Sequence, residues 1–359
     1  MLTSTIRITR TAASRLTEAA REEAPFGTVF SDHMLVAEYA GGRWGEPEIR
    51  PYGPMPLSPA LSALHYGQSI FEGFKAYRTA GHDSTAAPGS VGIFRMRDNH
   101  ARMNRSAARL CMPSIPEETF VGGVTALVQL DREWVPRRPG AALYIRPIYF
   151  ATDEALSVAP SRRYAFVVLT SPVPPYFSGT VNLVAEERYV RAFPGGTGDI
   201  KPAGNYAGAM LAAQEAQGHG FQNVLWLDGV EHRYVEEGGL MNVVFAVDGA
   251  VVTPPLAGTI LPGIVRDSYL TIAREMGVRV EERPVAVDEL FALHAAGRLT
   301  EGAGVGTGVA FAPLGRLRWR DREIDLSPRA DSLLARIAER LDAIRTGLTD
   351  DSHGWITRV

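Results

Sequence analysis

The positions of apolar and polar residues along this chain follow two different periods. Tyr164 to Ser171 (YAFVVLTS) is a run of β-branched and aromatic residues, and Pro172, Pro174 and Pro175 follow it at once. Such a run reads as a strand, and proline at that density ends a sheet and stiffens a connector. Further strands are predicted over Val91–Arg95 and Leu143–Tyr149 before it, and over Thr180–Arg191, Asn223–Leu227, Val243–Val247 and Val251–Thr253 after it. Helices are predicted over about Asn99–Cys111, Ala207–Gly218 and Ile264–Met276. In the last of these Ile264, Tyr269, Ala273 and Met276 keep roughly helical spacing. A Gly/Ser/Pro patch over Gly81–Gly89 (GHDSTAAPG) separates two strand-like segments and reads as a loop. Strands and helices mix without strict βαβ alternation, which predicts an α+β class.

The 359 residues suffice for two cores at about 100–200 residues per domain. The proline-rich connector, residues 172–181, divides an N-terminal domain (1–171) from a C-terminal one (182–359), and residues 1–25 read as a loosely ordered lead-in. A net charge of −3 gives no pull toward nucleic acid or an anionic membrane. No run approaches about 18 apolar residues, so no membrane span is expected. The Arg-, Ser- and Thr-rich N-terminus is interrupted by Glu18, Glu22 and Glu23, unlike a targeting peptide. A single cysteine, Cys111, excludes an internal disulfide framework or a multi-cysteine metal site. It fits a reducing cytoplasm.

One compositional feature narrows the chemistry. Of 37 basic residues only Lys75 and Lys201 are lysines. Arginine can supply charge, but it cannot lose a proton and act as an amine nucleophile. Lys75 lies in FEGFKAYR, where strand alternation places it among exposed residues with a structural part to play. Lys201 instead emerges from Gly195-Gly196-Thr-Gly198-Asp-Ile, a segment whose glycines let backbone approach a ligand closely. It is the better Schiff-base amine, with Tyr206 near in sequence. In Tyr234–Phe245, Glu236 or Glu237 could hold a pyridine nitrogen protonated, as an electron-sink cofactor requires. Pro262-Gly263 ahead of a helix frees the amides of Ile264 and Val265 for a phosphate. Gly302-Ala-Gly-Val-Gly-Thr307-Gly resembles a glycine nest suited to phosphate oxygens, without the lysine of a nucleotide-binding P-loop. An amine, a carboxylate and two phosphate cradles are what a pyridoxal phosphate site needs.

Eight stretches then make a specific resemblance: FGTVFSDHMLVAEY (26–39), LHYGQSIFEGFKAYR (64–78), ALYIRP (142–147), SPVPPYFSG (171–179), YVRAFPGGTGDIKPAGNYA (189–207), NVLWLDG (223–229), EGGLMN (237–242) and ILPGIVR (260–266). In order and spacing they resemble the branched-chain amino acid aminotransferases of the type IV pyridoxal-phosphate fold. That resemblance implies a D-amino acid aminotransferase-like architecture with a smaller N-terminal α/β domain and a larger C-terminal domain built on a barrel-like sheet. It implies Lys201 as the Schiff-base lysine and proton-transfer group, and Glu237 as the pyridine partner with Glu236 as the alternative. Arg102, Ile264, Val265 and Thr307 match the phosphate contacts, Tyr206 matches the tyrosine at the ring's phenolic oxygen, and Arg191 is expected to buttress the cluster. Tyr66, Phe71, Tyr144, Arg146, Tyr176 and Gly308 match the substrate pocket, with Val158 supplied from the neighbouring subunit of a homodimer.

The implied reaction is reversible, ping-pong transamination between leucine, isoleucine or valine and 2-oxoglutarate. The chain departs from the family pattern at three places. Leu240 stands where Thr or Gly is usual, Ala303 where an aromatic is usual, and Gly308 where Ala is usual. These departures leave open a variant dedicated to an unusual hydrophobic amino acid. A non-catalytic paralogue would be expected to carry damage at the lysine, the pyridine partner or the phosphate cradle, and none is visible. D-amino-acid aminotransferase and aminodeoxychorismate lyase are disfavoured by chain length and by the FEGFKAYR and GGTGDIK stretches.

Overall fold

A computed structural model describes residues 6–81, 89–174 and 179–359. The chain divides into two compact units. One comprises Met1–Tyr176, Lys201–Ala203 and Ala343–Val359; the other comprises Phe177–Ile200 and Gly204–Asp342.

The first unit is built on a ten-stranded sheet. Its path runs Arg7–Ile8, Glu48–Pro51, His33–Ala40, Tyr164–Val173, Ala142–Ala151, Phe74–Arg78, Val91–Phe94 and Ile356–Arg358. Every pairing is antiparallel except that of Arg7–Ile8 with Glu48–Ile49. The helix Met96–Arg109 covers the sheet because Met96, Asn99, Met103, Ser106 and Ala107 recur at helical spacing and are all buried. Its apolar members pack into one cluster with Phe74, Phe120, Trp134, Phe166 and Val168.

Several expectations are corrected here. The strand from Tyr164 continues through Pro172 to Val173, with Pro172 opposite Leu143. The ladder to His33–Ala40 has ended by Val168, so Pro172 lies on a free edge where a missing N–H is tolerated. Residues 343–359, assigned by sequence to the C-terminal domain, belong to the first unit because Ile356–Arg358 pairs with Gly92–Phe94. Lys75 is buried, at 4% exposure, because the strand that carries it is buried along nearly its whole length. The loop expected over 81–89 falls largely on residues 82–88, outside the described residues. Its flanking strands, Phe74–Arg78 and Val91–Phe94, pair antiparallel.

The lead-in is also anchored rather than loose over residues 6–25. Thr11 N–H donates to His33 Nε2 (2.9 Å), and Arg15 N–H donates to Asp32 Oδ1 (2.8 Å). Glu22, at the end of the helix Glu18–Glu22, accepts from the amides of Arg137 and Arg138 and from Arg21 Nε. Buried acids that reach into polar backbone tie the segment down.

The second unit contains a closed six-stranded barrel. In chain order its strands are β1 (Val181–Glu186), β2 (Asn223–Leu227), β3 (Val235–Gly238), β4 (Met241–Val247), β5 (Leu299–Gly306) and β6 (Ala310–Trp319). The ring runs β3-β2-β1-β6-β5-β4, and β4 pairs back to β3. Alternate residues such as Val181, Leu183 and Ala185, Leu225 and Leu227, and Met241, Val243 and Phe245 form one core cluster, as strand period requires. The expected strand Thr180–Arg191 thus stops at Glu186, and the expected helix Ala207–Gly218 starts at Met210, after a short turn of helix over Gly204–Ala207. The glycine run at 302–306 is not a nest but part of β5. A Cβ at Gly304 would meet Met241 Sδ at 2.5 Å, and one at Gly302 would meet Leu314 at 3.0 Å. These glycines make room for the core.

Candidate active site

In the second unit the site grows from the end of β3. Glu237 is buried at 5% exposure, and its Oε1 accepts from Arg191 Nη2 at 2.8 Å and from the Leu261 amide at 2.9 Å. The same Arg191 nitrogen reaches the carbonyls of Gly198 (2.9 Å) and Thr259 (3.2 Å), so one guanidinium ties the glycine loop before Lys201 to the carboxylate. Arg191, Tyr206 and Glu237 line one pocket with Ile200, Asn205, Ala209, Gly239, Leu240 and Leu261. Glu236 does not line it. The register of β3 against β2 shifts between Val235 and Gly238, so simple alternation does not assign the two acids that sequence had left as alternatives; the pocket lining does.

Two residues beyond Leu261, Gly263 starts the helix Ile264–Glu275, and no side chain caps that start. Asn242, opposite Glu237 across the β3–β4 pairing, holds the intervening loop by donating from Nδ2 to the Leu261 carbonyl at 3.1 Å. A Cβ at position 263 would lie 1.9 Å from Asn242 Oδ1, so only glycine permits this packing. The loop Thr259–Gly263 therefore carries a fixed carboxylate contact at one end and the amides of Ile264 and Val265 at the other. Thr307 and Gly308 lie in the β5–β6 hairpin, whose last paired residues are Gly306 and Ala310.

In the first unit Lys201 directly follows the pocket residue Ile200 in the chain. Its amide donates to Ser106 Oγ (3.1 Å), and its carbonyl accepts from Phe71 N–H (3.2 Å). Ile70 bridges Pro202, and Ala203 N–H donates to Ser69 O, so residues 201–203 lie along the Ser69–Phe71 strand. Lys201 Nζ stands 4.6 Å from the Phe71 ring centroid, and Arg146 Cζ lies 4.8 Å from the same centroid. Arg146 Nη2 donates to Tyr144 Oη at 2.9 Å. Phe26, half exposed, packs edge-on against Tyr144 at 5.1 Å. Arg102 is buried and bidentate on Glu72, through Nε and Nη2 at 2.7 Å each.

Phe71, Tyr144, Arg146 and Lys201 are thus brought together. Tyr66 and Val158, both exposed, line a different cleft with Ser62, Gln68, Arg109 and Cys111. Tyr176 lies outside the described residues. Leu240 is exposed in the turn that joins β3 to β4, whereas Ala303 is fully buried in β5 and does not line the pocket. The reading by sequence missed Phe26, Glu72, Asn205, Asn242 and Thr259. Asn205 accepts from Thr197 Oγ1 and donates to Thr197 O, bracing the loop before the lysine. All but Thr259 stand within the motif stretches, and for Glu72 and Asn205 a carboxylate or amide beside a glycine was the available signal.

The donor set fits pyridoxal phosphate. In the second unit a fixed carboxylate suits a pyridinium nitrogen and a helix start suits a phosphate, and in the first unit Lys201 is an amine for an aldehyde. The class IV amino-transferase family model matches residues 69–299, and the chain belongs to that family, on its branched-chain amino acid aminotransferase branch. Branched-chain-amino-acid aminotransferase 2 of Bacillus subtilis is 39% identical over 364 residues, covering 100% of this chain and 98% of its own. The branched-chain-amino-acid aminotransferase of Mycobacterium tuberculosis is 40% identical, at 97% and 96% coverage. Among solved structures, the T.th. branched-chain amino acid aminotransferase with pyridoxamine 5′-phosphate superposes with a TM-score of 0.74. It is 26% identical, and the match covers 90% of this chain and 97% of that one.

Proposed function

We propose that this enzyme exchanges amino groups between branched-chain L-amino acids and 2-oxoglutarate, with pyridoxal 5′-phosphate held covalently by Lys201. The observation that carries the reading is the loop Thr259–Gly263. It ties the buried carboxylate of Glu237 to the helix start at Ile264, so both ends of a phosphorylated pyridine find partners in one unit. Relatives named for the branched-chain substrates over nearly the whole length support the substrate class, and neither alternative is favoured by them.

When bound, pyridoxal phosphate supplies an electron sink for the pair left behind as the substrate Cα proton departs. The Lys201 amine would take that proton and deliver it to the cofactor carbon C4′, two atoms along, as general base and then acid. Glu237, fixed by Arg191 and the Leu261 amide, holds the pyridine nitrogen protonated. Tyr206, which lines the same pocket, would meet the cofactor's phenolic oxygen. The resemblance assigns the phosphate to the amides of Ile264 and Val265 and the Thr307 hydroxyl, and also to Arg102, which in its own unit is paired with Glu72. Arg146, braced on Tyr144, is suited to the distal carboxylate of glutamate, while Phe71 and Tyr144 offer apolar walls to an aliphatic side chain. Tyr176 and Gly308 complete the assignment. Exposed Leu64, Leu156 and Val158 support a homodimer to which Val158 contributes across subunits. A cytoplasmic location accords with the lone cysteine.

Lys201→Ala tests the reading. The variant is expected to lose both the visible absorbance of the bound cofactor, near roughly 410 nm, and turnover of leucine, isoleucine and valine. Retention of both would sink it, and a panel of amino donors in which a non-branched donor wins would sink the substrate class.

A further inference from the structure

Glu236 is a second buried acid one residue from the pyridine partner, and the mechanism does not use it. At 5% exposure it is among the most enclosed carboxyls of its unit, and its Oε2 has no hydrogen-bond partner. Thr259 lies within hydrogen-bonding reach of its carboxyl, and its charged neighbours include Arg191, Glu237 and Asp228. Thr259 is also joined to Arg191, whose Nη2 donates to its carbonyl at 3.2 Å and to Glu237 at 2.8 Å.

Asp228 accepts the amides of Val230, Glu231, Arg233 and Tyr234. Burial works against its charge, but these donors outweigh it and hold the carboxyl below its ordinary range. Asp228 is therefore held as an anion, and Glu237 already occupies the Arg191 guanidinium at 2.8 Å. An ionised Glu236 would be a third anion beside one guanidinium, in a place where its Oε2 meets no donor. Burying such a charge is far costlier than burying a neutral acid.

We propose that Glu236 is a neutral carboxyl that engages Thr259 and leaves the charge of Arg191 undivided for Glu237, making Glu236 a positioning residue for the cofactor's pyridine end. Burial pushes it up from the ordinary carboxylate value, and the anions Glu237 and Asp228 reinforce this against the opposing Thr259 hydrogen bond and Arg191. The inference rests on the reading of Glu237 as pyridine partner. Its consequence is an alkaline limit: once Glu236 ionises, it competes with Glu237 for Arg191 and the cofactor is held less well.

Infrared difference spectra of the holoenzyme, wild type minus Glu236→Gln, are expected at neutral pH to show the carbonyl stretch of a protonated carboxylic acid. The Kd for pyridoxal phosphate should rise about tenfold in wild type as that band titrates away, one pK unit's worth of interaction. The rise should be absent in Glu236→Gln. A missing band, or an equal rise in the variant, overturns the inference. If the variant does not fold, the wild-type band and Kd followed together with pH decide the matter, since failure to change in step is equally fatal. Glu237→Gln is measured in parallel. Unchanged cofactor affinity there would remove the reading of Glu237, whereas the band reports Glu236 whatever Glu237 does.

Discussion

Two buried arginine–glutamate pairs lie at positions that the family resemblance assigned to the cofactor, and they are built differently. In the first unit Arg102 spends two parallel N–H groups on Glu72, and both side chains are nearly inaccessible. In the second unit Arg191 gives a single nitrogen to Glu237 and shares it with two carbonyls, while the carboxylate also takes the Leu261 amide. The first is a closed fork whose members depend on one another. The second is a hub in which either member can be weakened and the rest still finds partners. Geometry, not the residue types, sets what each pair can tolerate.

The largest expected effect breaks the closed fork. Glu72→Gln strips a buried guanidinium of its counter-charge and should cost on the order of 3–5 kcal/mol, read as a fall in denaturation midpoint. Glu72→Leu combined with Arg102→Met should recover much of that stability yet bind cofactor poorly. Full recovery of both would show that the pair has no part in phosphate binding.

The hub is expected to respond in the opposite sense. Glu237→Gln keeps an acceptor for Arg191 and Leu261, so stability should move little. With the charge at the pyridine end gone, kcat/KM should fall by about 10²- to 10³-fold, the usual loss when a preorganised electrostatic partner is removed. A loss of stability as large as that of Glu72→Gln would erase the contrast.

The two units should also differ in pH response. Burial acts to raise the carboxyl of Glu22, but Arg21 and the amides of Arg137 and Arg138 outweigh it and hold the group below its ordinary 4.5. Its contribution is therefore complete above pH 4.5 and is lost as pH falls through the lower folded value. Glu236 is raised above 4.5, chiefly by burial. The unfolded chain ionises first, so this group lowers stability as pH climbs from 4.5 toward the folded value. Glu236→Gln should accordingly be more stable than wild type above pH 4.5, by thermal melts across pH, and Glu22→Gln less stable. The smallest effect is expected at Leu240→Thr. An exposed turn residue should change stability by no more than about 0.5 kcal/mol, while KM for the amino acid shifts because Leu240 lines the pocket.

Much of this site was legible in the chain. Lys201 stood out because a lysine is conspicuous among arginines and glycines, and Pro262-Gly263 announced a helix start that the structure places at Ile264. Glu72 was hidden because nothing in FEGFKAYR says that its carboxylate meets a guanidinium thirty residues on. Lys75 was misplaced because alternation tells which residues share a face, not whether the second face is covered as well. The glycines of β5 looked like a phosphate nest because local composition cannot distinguish a turn from a strand whose missing Cβ atoms make room for Met241 and Leu314.

The sequence by itself determined the chemistry. An amine nucleophile, an acid-glycine strand end and a Pro-Gly helix start are local features, written in residue type and short spacing, and they mark a class IV aminotransferase site. Only the tertiary structure decided which of two adjacent acids faces the pocket, since that depends on the register of β3 within a closed ring. It also decided that the N-terminal segment is clamped, that the last strand crosses to the first sheet, and that Arg102 already has a buried partner. These outcomes rest on contacts between residues far apart in the chain. Their energies depend on burial, and burial is not a property of any single stretch of sequence.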